Sequence, residues 1–280
     1  FEMLARGETM GLFQLNGSGM TKYLKELKPT TIHDINAIVA LYRPGPIESI
    51  PQYVERKHDP RKVTYLDPRM KEILIDSYGV VTYQDDVMLI AIKLGGYSWL
   101  EADKLRKAMG KKIPAEMEAQ KTKLIDGLIK NGLTPDKANE LWLLIEPFAA
   151  YGFNKAHAAS YGRVAYQTAY MKANFPAEYM TAVLTADAGD VEEVSEIVAE
   201  SRRMGLPILS PSINQSLGNF TAIKGKDGGG VGDEIRFGLY AIKNLGEEIS
   251  NVIIAERKRG GEYKSFSDFL ERVKHKNLNK

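Results

Sequence analysis

The 280-residue sequence contains no cysteine, which excludes disulfides, cysteine metal sites and thiol catalysis and fits a reducing compartment. No apolar stretch approaches the roughly 20 residues that span a bilayer, and no basic segment precedes an apolar one as in a secretory signal. A soluble, cytoplasmic protein with no membrane partner is the expectation. Paired carboxylates at the D-x-D spacing of two-metal phosphoryl transfer are missing, the four histidines are scattered, and no Walker loop or nucleophile elbow occurs. The chain is therefore expected to hold no metal and no catalytic residue of its own. Charge of one sign is also scarce: 38 Lys and Arg stand against 36 Asp and Glu, so any affinity for nucleic acid must come from local patches. The chain opens on Phe1 and stops at Asn277-Leu278-Asn279-Lys280 without a closing element, and it reads as an excised fragment of a longer protein.

What is present is overwhelmingly helical. Gly11-Leu12-Phe13-Gln14-Leu15 reads as a short strand, after which Ser18 caps a helix over 19–27. Thr31 caps the next, with Asp34 completing a capping box, and that helix must stop before Arg43-Pro44-Gly45-Pro46. Periodicity predicts helices over 86–94, 100–109, 115–131, 135–145, 156–173, 176–186 and 191–204, with Gly110 as a helix stop. After Gly205 the pattern becomes extended, Lys224 to Asp233 reads as a Gly-rich hairpin or linker, and 241–273 holds two short helices.

Three patches carry candidate chemistry. In Tyr151-Gly-Phe-Asn-Lys-Ala-His-Ala-Ala-Ser-Tyr161, Asn154 is a favoured N-cap, and the helix start behind it offers unpaired N–H groups and a partial positive charge to an anion. Lys155 adds a full charge, and His157, Ser160 and Tyr161 share one face. The plain alternative is a cap with a packed histidine and tyrosines. In the second patch, Ala102, Leu105 and Met109 form an apolar stripe, Lys104, Lys107 and Lys111 lie opposite, and Arg106 borders the stripe, with Lys112 following. Arg106-Lys107 suits phosphate oxygens, and a solvated helix with internal Glu and Asp partners is the competing reading. Third, Ala241-Ile-Lys-Asn-Leu-Gly-Glu247 resembles a helix-hairpin-helix turn, with Asn244 in place of the first Gly. Asn tolerates the left-handed conformation that such a turn needs. Tyr83-Gln84-Asp85-Asp86 reads as a helix cap rather than a metal site, because its adjacent carboxylates point apart.

Taken in order, Gly11-Leu-Phe-Gln-Leu15 with Ser18-Gly-Met20, Ala40-Leu-Tyr-Arg-Pro-Gly-Pro46, Tyr78-Gly-Val80 with Tyr83-Gln84, Val87-Met88, Leu105-Arg-Lys-Ala-Met-Gly-Lys-Lys112 and Tyr151-Gly-Phe-Asn-Lys-Ala-His157 resemble the C-family replicative DNA polymerases of bacteria. The resemblance implies a fingers domain over 1–205 that closes on the incoming deoxynucleoside triphosphate. A linker over 206–238 and a partial tandem helix-hairpin-helix domain over 239–280 follow. It implies that Arg106 and Lys107 face the triphosphate, with Lys where the family often has a second Arg. Asn154, Lys155 and His157 match a string near the nucleotide in which Ala156 replaces Ser, and Arg43 joins this set. Lys111, Lys112, Lys243, Asn244 and Gly246 are implied to touch template-primer DNA. The catalytic aspartates and their Mg2+ would belong to a palm upstream of Phe1, and a sliding clamp and other replisome subunits would be partners of the parent. The fragment itself is expected to be inactive. A non-catalytic DNA-binding module is the alternative function, and a stand-alone kinase or nucleotidase is disfavoured by the lack of a catalytic set.

Overall fold

Capping side chains mark the starts of several helices. The computed structural model describes residues 1–111, 114–146, 153–225, 232–276 and 278, with the side chains of Lys111 and Pro114 outside that description. The first unit, Phe1–Ala169, carries α1 (Glu2–Arg6), α2 (Ser18–Leu27), α3 (Ile32–Leu41), α4 (Ile50–His58), α5 (Lys71–Leu74), α6 (Gln84–Lys93), α7 (Trp99–Lys111), α8 (Pro114–Lys130), α9 (Pro135–Ile145) and most of α10 (Lys155–Asn174). The second unit, Tyr170–Lys280, carries the end of α10, then α11 (Pro176–Ala186), α12 (Val191–Arg203), β1 (Ile208–Leu209), β2 (Thr221–Ile223), β3 (Glu234–Arg236), α13 (Glu247–Gly260) and α14 (Phe266–Arg272). The fold is mainly α, as the sequence implies.

In the first unit, Thr31 caps α3 by accepting the Asp34 N–H at 3.3 Å, while Asp34 Oδ2 accepts the Thr31 N–H at 3.1 Å. Asp34 is fully buried, and its charge is met by Lys57 Nζ at 3.3 Å and by the hydroxyls of Tyr53 and Tyr78, each at 3.3 Å. A buried carboxylate is tolerable only with such a set of partners. The same contacts tie α3 to α4 and to the 78–83 segment, over a core in which Leu4, Leu24, Leu27, Ile35, Leu41 and Ile50 have no exposed surface. Neighbouring helices then pack in chain order, α6 on α7, α7 on α8 and α8 on α9.

Three local expectations need correction. Residues 11–15 form turns, not a strand: Gly11 and Gln14 both take positive φ, and Leu12 N–H bonds back to Thr9 O at 3.1 Å. Gly17 rather than Ser18 is the N-cap of α2, and no side chain caps it. Gly110 does not end its helix, because α7 runs on to Lys111; a glycine inside a helix costs only about 1 kcal/mol against Ala, and the buried stripe beside it outweighs that.

Gly162 sits inside α10 for a packing reason. A Cβ there would lie 1.9 Å from Asn36 Oδ1 and 3.2 Å from the Asn36 Cα, so the α3–α10 approach depends on the missing side chain. Gly162→Ala is expected to destabilise by about 1–3 kcal/mol through overpacking. Urea unfolding checks it, and an unchanged midpoint would show that Asn36 moves aside freely.

In the second unit, β3 is central: β1 pairs with it in parallel, Ile208 opposite Ile235, and β2 antiparallel, Ala222 opposite Ile235. Helices α11 and α12 pack on this sheet. The expected Gly-rich hairpin joins β2 to β3, and its residues 226–231 lie outside the described residues. Leu239, Ile249, Ile253, Tyr263, Phe269 and Val273 form a separate core around α13 and α14.

Candidate nucleotide and DNA sites

The start of α10 is held from below by a small buried cluster of Ala40, Tyr83 and Ala158, against which Phe153 packs. Asn154 caps the helix, its Oδ1 accepting the His157 N–H at 3.0 Å. The next free donor, the Lys155 N–H, is taken by Asp85 Oδ2 at 2.7 Å, and Asn154 Nδ2 donates to the same oxygen at 3.4 Å. This helix start thus already accommodates one anionic oxygen, as unpaired N–H groups at a helix N-terminus favour. Asn154, Lys155 and His157 are all exposed.

The side chains around it form an aromatic ledge. The His157 ring lies 4.1 Å from the Tyr161 ring and 5.0 Å from Phe153, the Arg43 guanidinium sits 5.1 Å from the Phe153 ring, and Lys155 Nζ is 5.6 Å from the Tyr83 ring. Arg43 Nε is buried with no hydrogen-bond partner among the described residues. Gln84 N–H donates to Phe153 O at 3.1 Å, which docks the start of α6 against the loop entering α10. Arg43, Asn154, Lys155 and His157 therefore gather at one place, although 111 positions separate the first from the second. Ser160, expected on the same face, donates its hydroxyl to Ala156 O at 3.0 Å. Tyr151 and Gly152 lie outside the described residues.

Asp85 and Asp86 diverge, as the cap reading requires. Asp86 is buried, its Oδ2 accepts the N–H groups of Thr82 and Tyr83 at 2.9 Å each, and burial raises its pKa from 3.8 to about 6 against the opposing pull of those hydrogen bonds and of Lys155. Because the folded state holds this proton more tightly than the unfolded chain, Asp86 favours folding most below pH 3.8, and that contribution is lost as pH rises to about 6. Asp86→Asn keeps an acceptor for both N–H groups and is expected to flatten the stability profile between these limits. Denaturant midpoints across that range check it, and an identical slope in the variant would show that Asp86 ionises without cost.

The basic pair is placed differently. Arg106 and Lys107 project from α7 and share one counter-ion, Asp103, at 2.7 Å each. The i, i+3 and i, i+4 spacing was visible in the sequence as the competing solvated-helix reading, and the structure supplies that partner. No hydrogen bond or ion pair among the described residues joins the pair to the α10 group. Lys112 and the Lys111 side chain lie outside the described residues. Asp85 was missed as a contact of α10, since nothing local in the sequence announces a partner 70 positions away.

In the second unit, Asn244 adopts φ +68°, the left-handed conformation expected of it, and Gly246 begins α13 without a side-chain cap. Lys243, Asn244 and Gly246 line a groove of about 820 Å³ together with Gly189, Val191 and Tyr240. Glu247 and Glu248 occupy the first turn of α13, opposing the attraction of a phosphate to its N–H groups.

Among the described residues no three His, Asp or Glu side chains come together as a metal-ion set, and no helix is long and apolar enough to cross a membrane.

Comparison with known proteins finds a match in each unit. Residues 1–132 match the finger domain of the bacterial DNA polymerase III alpha subunit, and residues 205–280 match a helix-hairpin-helix motif. Over its whole length the chain is 44% identical to the DNA polymerase III subunit alpha of Thermus aquaticus, 43% to that of Deinococcus radiodurans and 42% to that of Chlamydia pneumoniae. It spans 23%, 21% and 22% of those relatives respectively, less than a quarter of each. The chain belongs to the bacterial DNA polymerase III alpha subunit family, as a segment that covers its finger domain and a helix-hairpin-helix motif.

Proposed function

We propose that this segment binds the phosphates of an incoming deoxynucleoside triphosphate and the backbone of template-primer DNA for template-directed DNA synthesis in the bacterial cytoplasm. The observation that carries the reading is the α10 start, where Lys155 N–H already holds a carboxylate oxygen at 2.7 Å and Arg43, Lys155 and His157 converge. In nucleotidyl transfer the protein mainly positions the triphosphate and offsets its charge, which needs donors and cations of this kind. Arg106 and Lys107 are the further cations that meet the triphosphate, and an exposed pair with Asp103 is weak enough to exchange for it. Mg2+ is implied by the chemistry, but the described residues offer no set of ligands for it, so no step through the ion is assigned to this chain. The palm carboxylates belong to the rest of an alpha subunit, and the sliding clamp and other replisome subunits are partners of that parent. In the second unit the Lys243–Gly246 turn contributes sequence-independent contacts to DNA, and the chain divides into a fingers domain over 1–205, a linker over 206–238 and a partial helix-hairpin-helix domain over 239–280.

His157→Ala in the complete alpha subunit is expected to lower nucleotide use about tenfold, the cost of losing one contact to a charged group, while melting stays close to that of the parent because the ring is exposed. Kinetics with varied nucleotide beside thermal melting decide. Large destabilisation with normal turnover would make His157 a packing residue. Should the DNA-binding module alone be right, the patches would bind duplex DNA and ignore nucleotide.

A further inference from the structure

The exposed face of α7 carries a feature that neither nucleotide binding nor core packing uses. Trp99 is 66% exposed and Leu100 67%, large apolar surfaces at the first turn of a helix whose opposite face, Ala102, Leu105, Ala108 and Met109, is buried. Fraying does not explain the exposure, because that turn is pinned. Ser98 N–H and hydroxyl both meet Glu101 Oε2 at 2.8 Å, Glu101 N–H returns to Ser98 Oγ at 3.3 Å, and Lys123 Nζ holds the other Glu101 oxygen at 2.7 Å. The indole is therefore presented to solvent from a fixed backbone.

Trp99, Asp103 and Arg106 follow at i, i+4 and i+7 and share one stripe, with Lys104 and Lys107 beside it. Lys104 is exposed and has no ion-pair partner among the described residues, and Lys107 reaches only Asp103. An unpaired aromatic face followed along one helix by cations is the combination that binds single-stranded nucleic acid, a base stacking on the ring while phosphates meet the positive charges. A duplex offers no free base face. A protein partner would leave these adjacent cations without a reason.

We propose that Trp99 is a stacking platform for an unpaired base of a DNA single strand, such as template ahead of the primer end, with Lys104 taking an adjoining phosphate. The inference rests on the DNA-binding half of the proposed function and deepens it.

The sequence provides its own probe, since it contains two tryptophans and the other, Trp142, is 2% exposed. The chain is titrated with a single-stranded oligothymidylate while tryptophan emission and the anisotropy of the labelled oligonucleotide are followed together. Saturable quenching is expected, with none from a blunt duplex of equal length. Trp99→Phe is expected to hold affinity within about twofold, and Trp99→Ala to weaken it about tenfold or more. Raising salt is expected to lower log affinity against log salt with a slope of about −0.7, one phosphate on a single strand. Anisotropy that saturates with emission unchanged overturns the inference, as do Phe and Ala variants that bind alike. Quenching that follows protein concentration without DNA also overturns it, by pointing to a second copy on this face. Duplex binding with a silent Trp99 would sink the platform and leave the proposed function standing, whereas no binding of either strand form would sink both.

Discussion

Glu200→Ala is expected to cost the second unit about 1.5–3 kcal/mol, because it removes the carboxylate that both Lys172 and Arg203 meet. Lys172 at the end of α10 has no exposed side-chain surface, and its Nζ lies 2.9 Å from Glu200 Oε1 on α12. Arg203, one turn on, holds the other Glu200 oxygen at 2.7 Å. Those two partners, Arg203 first, bring the Glu200 pKa down to about 2 against the effect of burial. A depressed carboxylate stabilises the fold above its unfolded value, near 4.5, and the contribution is lost as pH falls from there through about 2. Denaturant unfolding at neutral pH and along an acid series checks both parts. Replacing the pair together, Lys172→Met with Glu200→Leu, is expected to recover much of the loss, since a buried pair often contributes little beyond apolar packing of the same volume. A single variant as stable as the parent would mean that the ammonium is not confined by this contact.

Arg106→Ala, made in the complete alpha subunit, is expected to reduce kcat/KM for the nucleotide about ten- to hundredfold, through loss of a charge-assisted contact of about 1.5–3 kcal/mol. The Asp103 contact does not compete at that level, because Arg106 is 38% exposed and such pairs are worth about 0–1 kcal/mol. Steady-state kinetics with varied nucleotide measure the effect, and Asp103→Ala serves as the control, with a change of no more than a few-fold. Unchanged efficiency in Arg106→Ala would return the pair to the plain role of solvated helix cations.

The elements were readable wherever capping and periodicity agree. Thr31 with Asp34, and Asn154 before α10, each announce a helix start that the structure places there. Gly110 misled because a glycine marks a helix end only when the chain must turn left-handed, and the Ala102–Leu105–Met109 stripe keeps α7 going. Residues 11–15 misled because an apolar run without alternation does not distinguish a strand from a buried turn. Helix α4 was not seen, although Pro51 in its first turn is compatible with a helix start, and Tyr53 and Lys57 on it reach Asp34.

At the site, local chemistry was legible and tertiary pairing was not. Asn154 reads as a cap from its residue type alone, and Asn244 as a left-handed turn residue, and both adopt those conformations. That Asp85 would reach the α10 start, and that Arg43 would lie over Phe153, depends on how α3, α6 and α10 meet. No spacing in the chain encodes that meeting. Trp99 was invisible for a different reason: an aromatic at a helix start is ordinarily buried, and only its exposure makes it a candidate.

The most direct test of the central claim is the nuclear magnetic resonance signal of the His157 ring while the 280-residue chain is titrated with a deoxynucleoside triphosphate and, separately, with duplex DNA. The account predicts a saturable shift of His157 with the triphosphate, at least tenfold weaker in Lys155→Ala, and displaced by inorganic triphosphate. A His157 signal that ignores the nucleotide and moves only with duplex DNA would contradict it.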